Sequence, residues 1–217
     1  TRAGEVVVVT FGPKETETTL RAALATGADR AIRVDVGDEA LDGDVVARAL
    51  KSIVEQEKPD VVIMGKQAVD GDSNQVGQLL GEYLDWPQAT FAATIEEEAS
   101  GSLLVGREVD GGVAKVRVKL PAVVTVDLRI VAGTSVYSTK TPRTHKYNDG
   151  VRFAALPAIM AAKKKPLAEK KLAELTGDTA LKVTYATFSA PPARKAGIKV
   201  KDVAELVQKL SGEAKVL

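Results

Sequence analysis

The residue types best suited to ligand chemistry stand together in one run, Gly65-Lys66-Gln67-Ala68-Val69-Asp70-Gly71-Asp72-Ser73-Asn74-Gln75-Val76-Gly77. It follows an apolar, strand-like run, Asp60–Met64, and precedes a helix-like run, Gln75–Leu84. A loop at the carboxyl end of a parallel strand is where open α/β sheets bind ligands. Gly65 and Gly71 permit close backbone approach. Ser73 or Asn74 is placed to cap the helix, which leaves the next N–H groups to hold an anion. Asp70, Asp72 and Gln75 supply polar groups suited to sugar hydroxyls or base edges. The order of residues is neither the Walker A pattern nor the dinucleotide G-x-G-x-x-G. On spacing alone, a nucleotide phosphate site and a polar turn before a capped helix fit equally well. Two aspartates two positions apart, with no third ligand evident, do not make a metal site.

Catalytic chemistry has few other carriers. The single histidine, His145, would have to serve any Ser-His-Asp triad. It lies in a polar stretch, Ser138–Asp149, that reads as a solvated loop. Cysteine is absent, which excludes disulfides, thiolate metal sites and cysteine nucleophiles. No catalytic residue and no metal ligand set is assigned. The 217 residues carry a net charge of +1, with 45% hydrophobic and 27% charged residues. That balance is ordinary for a folded α/β chain and gives no electrostatic reason to bind nucleic acid. No apolar run approaches the roughly 20 residues of a bilayer span. The chain opens Thr1-Arg2-Ala3-Gly4, with no initiator Met, signal peptide or transit segment, and reads as processed or truncated.

The elements that must position the loop follow from periodicity. Glu5–Thr10 is a β-branched run typical of a strand buried on both faces. Thr16–Thr26 has helical character and closes on Gly27. Ala31–Val36 reads as a second strand. Asp42–Gln56 is a strongly amphipathic helix, with Val45, Val46, Ala49, Leu50 and Ile53 at helical spacing. With the Asp60–Met64 strand, this alternation predicts βαβ units and a parallel sheet. From Ala92 the pattern changes. Ala93–Glu97, Leu103–Val109 and Val113–Leu120 read as strands, with Asp110-Gly111-Gly112 as a hairpin turn, and Ala122–Leu128 as another buried strand. The predicted class is α/β: a mostly parallel sheet with helices on both faces, late antiparallel strands and a C-terminal extended arm.

The stretch from about Val131 to Gly150 is polar and long for a loop inside a compact domain. Leu156–Ala162 reads as a short apolar helix, followed by Lys163-Lys164-Lys165. Periodicity assigns Phe153, Leu156, Ile159 and Met160 to the core, with a docking anchor as the other reading. Glu169–Leu175 reads as helical, Leu181–Phe188 as a strand, and Lys201–Leu210 as a final amphipathic helix.

Several of these segments, in order, resemble the β subunit of electron transfer flavoprotein. They are Gly27-Ala28-Asp29-Arg30, Gly65-Lys66-Gln67-Ala68 with Asp70, Asp72 and Gln75, and Asp85-Trp86-Pro87-Gln88 with Thr90-Phe91. Arg107-Glu108-Val109-Asp110-Gly111-Gly112 and Leu120-Pro121-Ala122-Val123-Val124-Thr125 with Asp127-Leu128-Arg129 continue the series. Leu156-Pro157 with Ile159-Met160, the three lysines, and Pro191-Pro192 with Arg194, Gly197 and Val200 complete it. The resemblance spans nearly the whole chain.

It implies a heterodimer with an α subunit that holds most of an FAD, and an AMP without redox role in the β subunit. It implies electron flow from acyl-CoA and related dehydrogenases to a membrane quinone oxidoreductase. By resemblance, the segment from Gly65 to Val76 (Gly65, Lys66, Gln67, Ala68, Val69, Asp70, Gly71, Asp72, Ser73, Asn74, Gln75, Val76) holds the AMP phosphate, with Phe11 contributing backbone. Glu108 would face the flavin region. Arg152, Phe153, Leu156, Pro157, Ile159, Met160, Lys163, Lys164 and Lys165 would form the dehydrogenase recognition surface, with Leu156 as anchor. The implied compartment is bacterial cytoplasm or mitochondrial matrix.

The resemblance also implies an organisation: residues 1–187 as a nucleotide-binding domain without the family's N-terminal strand, loop and helix, and 188–217 as a partner-embracing arm and helix. The family usually runs almost directly from the Asp127-Leu128-Arg129 strand into the recognition segment, whereas here about 15 to 20 residues intervene, within what a surface loop tolerates. Other readings are a bifurcating subunit with a second FAD in place of AMP, and a homodimeric adenine-nucleotide signalling module.

Overall fold

The computed structural model describes residues 4–99, 101–194 and 196–217. They form two compact units, Thr1–Val183 and Thr184–Leu217. The sequence reading put the division at 187.

Nine strands and five helices build the first unit among the described residues. In chain order they are β1 (Val7–Phe11), α1 (Glu17–Thr26), β2 (Arg30–Asp35), α2 (Gly43–Glu57), β3 (Val61–Gly65), α3 (Val76–Leu84) and β4 (Gln88–Glu98). The series continues with β5 (Ser102–Val109), β6 (Gly112–Lys119), β7 (Ala122–Val126), β8 (Val136–Tyr137), α4 (Leu156–Ala162), β9 (Leu167–Lys171) and α5 (Leu172–Leu175). The strands fall into two sheets. One is parallel, in the order β1-β2-β9; the other runs β3-β7-β4-β5-β6, with β8 beside β4. β3, β7 and β4 are parallel to one another, and β4, β5 and β6 are antiparallel neighbours. The mixed α/β class is as the alternating pattern indicated.

One helix serves both sheets. Val45, Ala49 and Ile53 of α2 pack on Ile32 and Val34 of β2. Ala47, on another face of α2, packs with Leu80 of α3 and Val123 of β7. Asp42 caps α2: its Oδ1 accepts from Val45 N–H at 2.8 Å, worth about 1 kcal/mol. Its other oxygen accepts from the Lys182 and Val183 N–H groups. Burial alone would raise the Asp42 pKa, but these N–H donors outweigh it and hold the carboxyl below its ordinary value.

Several sequence expectations need correction. β1 is not buried on both faces; all five of its residues are half-buried. It carries β2 on one edge and no strand on the other among the described residues. β3 is likewise an edge strand, and Ile63 is 58% exposed. Glu169–Leu175 is not one helix, because β9 pairs with β2 through Lys171 and only Leu172–Leu175 is helical. Glu169 is held there by the guanidinium of the buried Arg33 at 2.5 Å. Leu181–Phe188 is not a strand: Leu181 packs against the α2 cluster, and the following residues find no ladder partner. The polar stretch after Val131 contains the short strand β8, which the sequence did not signal.

The second unit is an extended segment followed by α6 (Val203–Gly212). Asp202 caps this helix by accepting from Glu205 N–H. Tyr185 and Phe188 stack with ring centroids 5.4 Å apart. No helix among the described residues is long and apolar enough to cross a membrane.

Candidate functional site

The Gly65–Val76 run leaves the carboxyl end of β3 and enters α3, as its flanking patterns required. Val69 is 96% exposed, and the loop is open to solvent over most of its length. Its shape is set internally. Asp72 N–H donates to Ala68 O, Gln67 Nε2 donates to Asp72 Oδ1 at 2.9 Å, and Asp70 Oδ1 accepts from Gly71 N–H. Asp72 and Asn74 take left-handed backbone conformations, which short polar side chains tolerate.

Neither Ser73 nor Asn74 caps α3, contrary to the sequence reading. Gln75 is the N-cap and makes no side-chain cap bond. The Asn74 side-chain Oδ1 instead accepts from Gln78 Nε2 at 2.9 Å, and Ser73 Oγ faces Gly71 O. The first-turn N–H groups of α3 are therefore left without a side-chain acceptor, at the positive end of the helix dipole. Gln78 Oε1 is buried with no donor among the described residues. The start of α2 lies alongside, since a Cβ on Gly43 would stand 3.1 Å from Gln75 Oε1. Two helix N-termini thus converge near the loop.

Beneath the loop the geometry is tight. A Cβ on Gly77 would approach Thr125 Cγ2 of β7 to 2.3 Å. The first turn of α3 can therefore lie directly on the sheet only with glycine there. Lys66 Nζ donates to Asp127 Oδ2 at 2.6 Å, bridging the ends of β3 and β7. That ammonium, followed by the Arg129 N–H, holds the Asp127 carboxyl below its ordinary value. Lys66 also stands 5.3 Å from the centre of the Phe91 ring.

Phe91 has φ of +58°, a strained conformation for a bulky side chain. It lies where β4 shifts register between Ala89 and Ala92. Arg107 holds the bend by donating to Thr90 O and Thr90 Oγ1, both at 2.7 Å, and Phe91 N–H donates to Thr125 Oγ1. Thr90, Phe91, Arg107 and Asp127 carried the family resemblance but no assigned role. A bulge at the sheet rim that re-aims side chains was the missing reading.

The structure does not bring every predicted residue to one place. Phe11 ends β1 in the other sheet and packs against the α2–β2 cluster. Glu108, on β5, pairs with Arg129 beside an open cavity of about 570 Å³. Thr94, Val113 and Ser135 line it, with Asp149 and Gly150 from the long polar stretch. A cavity of about 500 Å³ next to Trp86 and Lys58 lies at the opposite, amino-terminal ends of β3 and β7 and holds no predicted site residue. No group of three or more His, Asp or Glu among the described residues could hold a metal ion.

Phe153 is 94% exposed and Leu156 72% exposed, and Ile159 and Met160 are also exposed. The core assignment from periodicity is overturned. Ala162 alone is buried on α4, against Leu20, Leu24 and Ala28. What holds α4 is reciprocal capping with α1. Arg21 donates to Ala162 O and Lys165 O, at 2.9 and 2.8 Å. Lys165 Nζ donates to Leu24 O and Ala28 O, at 2.8 and 2.5 Å. Lys165 is thus engaged inside the fold, while Lys163 and Lys164 are exposed. Arg152 reaches Thr26 O at 3.3 Å.

With this geometry in view, residues 1–175 match the electron transfer flavoprotein domain family. The electron transfer flavoprotein subunit beta of Bradyrhizobium diazoefficiens is 46% identical over 216 residues, covering 100% of this chain and 79% of that protein. The human subunit beta is 43% identical over 209 residues, covering 95% of this chain and 74% of the relative. The mitochondrial subunit beta of Arabidopsis thaliana is 39% identical over 216 residues, covering 99% and 78%. The chain belongs to the electron transfer flavoprotein β-subunit family. Its role is electron transport as part of a flavoprotein, and it is a carrier subunit rather than an enzyme.

Proposed function

We propose that the chain pairs with an electron transfer flavoprotein α subunit, binds AMP through the Gly65–Val76 loop, and presents Leu156 to acyl-CoA and related dehydrogenases. The redox chemistry is supplied by FAD, held mainly by the α subunit, whose electrons pass on to a membrane quinone oxidoreductase. The observation that carries the nucleotide reading is the uncapped N-terminus of α3, directly after the loop at the end of β3. A phosphate there accepts from first-turn N–H groups and meets the helix dipole. Lys66 adds positive charge near the site while Asp127 keeps it from being an isolated cation. Gln78 Oε1 supplies a buried acceptor for a donor on the ligand. Gly77 supports the close seat of α3 on the sheet.

Glu108 stands toward the flavin side, paired with Arg129. A charged pair at that position contributes to the field around the isoalloxazine and to contact with the partner subunit. Leu156 is a docking anchor because its burial is realised only on association. The proposed compartment is bacterial cytoplasm or mitochondrial matrix; the Arabidopsis thaliana relative is named mitochondrial.

Co-expression with the α subunit, with the family's N-terminal unit joined to the chain, tests this reading. A one-to-one complex with flavin absorbance supports it. A flavin-free homodimer that binds adenine nucleotide would replace it with the signalling-module reading.

A further inference from the structure

Charge is unevenly placed along the chain. Residues 131–165 hold seven Lys or Arg and one acidic residue, Asp149, in a chain of net charge +1. The rest of the molecule is therefore net acidic. Four of these cations, Lys140, Lys146, Lys163 and Lys164, are exposed; none forms a close salt bridge among the described residues, and Lys140 acts on Glu97 only through its charge.

The first part of this stretch is a built loop. Its base is closed by Tyr147 N–H donating to Gly133 O and Gly150 N–H donating to Val131 O. Asp149 Oδ1 accepts from Gly133 N–H at 2.6 Å. A Cβ on Gly133 would come within 2.0 Å of Tyr147 O, so the closure requires glycine. One flank, β8, pairs with β4 at Ile95 and Glu96. Glu97 accepts from Ser138 Oγ and Thr139 N–H. Arg143 pairs with Glu96 and stacks over Tyr137. The acidic end of β4 thus anchors the loop and leaves Lys140 and Lys146 facing water.

Leu156 lies six positions after Gly150, a reach of at most about 22 Å. A standard protein interface covers about 800 Å² per partner, roughly 30 Å across. One partner face can therefore cover both the loop and the exposed apolar face of α4. We propose that the 133–150 loop is a second, electrostatic docking element beside α4. Its partner is a protein face with an apolar pocket rimmed by Asp and Glu. This rests on the docking role given to Leu156 above. Complementary charge of this kind acts on encounter rate and orientation, and a preorganised loop loses little entropy on docking. An anionic membrane is the other surface that would attract such charge.

The test uses the assembled αβ complex and a purified acyl-CoA dehydrogenase as probe. Lys146→Glu, the milder pair Lys140→Gln with Lys146→Gln, and Leu156→Ala are compared for flavin reduction at several ionic strengths. Melting temperature and flavin content check that each variant is folded. Lys146→Glu is expected to raise KM for the complex about fivefold at low salt, with kcat unchanged, and the neutral pair to flatten the salt dependence. Unchanged KM and salt dependence in both loop variants overturns the proposal. If Leu156→Ala still slows reduction in that case, the docking role of α4 stands without the loop. If only the loop variants matter, the anchor reading of Leu156 fails, and with it the apolar pocket assigned to the partner, which overturns the proposal as a second element beside α4. Salt-sensitive binding of the complex to phosphatidylserine vesicles, lost in Lys146→Glu, with dehydrogenase kinetics unaffected, assigns the charge to a membrane instead.

Discussion

Two exposed segments of this molecule are built in opposite ways. The Gly65–Val76 loop is polar, and what fixes it lies beneath: the Lys66–Asp127 pair, the strained bend at Phe91 and the Gly77 contact on β7. The α4 segment shows apolar side chains to water, and what fixes it lies at its end, where Arg21 and Lys165 cap each other's helices. Surface character differs, yet both present their groups from a rigid base. A polar loop over a half-buried charge pair suits a small anionic ligand. An apolar face over a helix clamp suits a partner that arrives and leaves.

Breaking the docking side has the largest expected effect. Leu156→Ala should slow reduction of the complex by a dehydrogenase about thirtyfold, the ~2 kcal/mol of an interface hot spot, and leave nucleotide content unchanged. Stopped-flow flavin absorbance reads the rate, and a wild-type rate would remove Leu156 from docking. On the loop side, Gly77→Ala forces a Cβ into Thr125. It should cost about 1–3 kcal/mol of stability and lower nucleotide retention, read by thermal melting and nucleotide assay. An unchanged melting temperature would mean that α3 does not sit directly on β7.

The lysine run sharpens the contrast. Lys165→Met removes two charge-assisted bonds to buried carbonyls and should cost about 2 kcal/mol. Lys163→Met should change stability by less than about 0.5 kcal/mol. Equal losses in the two variants would deny the reciprocal capping. The smallest effect is electrostatic. Asp127 is held below its ordinary 3.8 by the Lys66 ammonium. Because its folded pKa is lowered, its contribution is complete above about pH 4 and is lost as pH falls through the lowered value. Titration followed by carboxyl NMR should place its midpoint below 3.8, and Lys66→Met should move it upward. A midpoint that Lys66→Met leaves in place would break the pairing.

Most of the fold was legible because its signals are local. The amphipathic period of α2, the Asp110-Gly111-Gly112 hairpin and the apolar run of β7 appear where the pattern put them. The misreadings have non-local causes. Glu169–Leu175 reads as helical, and pairing with β2 makes its first part, through Lys171, a strand. Phe153, Leu156, Ile159 and Met160 look like core because periodicity shows that a face is apolar, not what covers it. The bend at Phe91 leaves no turn residue in the sequence, since Arg107 and Thr125 from other strands maintain it. In the loop, residue types marked a polar segment between β3 and α3, but the cap assignment failed because the Asn74 side chain bonds the Gln78 side chain rather than the backbone.

The most direct measurement is the identity of the nucleotides released when the purified αβ complex is denatured, for the wild type and for Gly77→Ala. One FAD and one AMP per wild-type complex, with AMP selectively depleted in the variant, is the expected result. Two FAD and no AMP would keep the family and move the function to electron bifurcation. AMP retained at wild-type level in Gly77→Ala, with α3 shown to be displaced, would contradict nucleotide binding at the Gly65–Val76 loop.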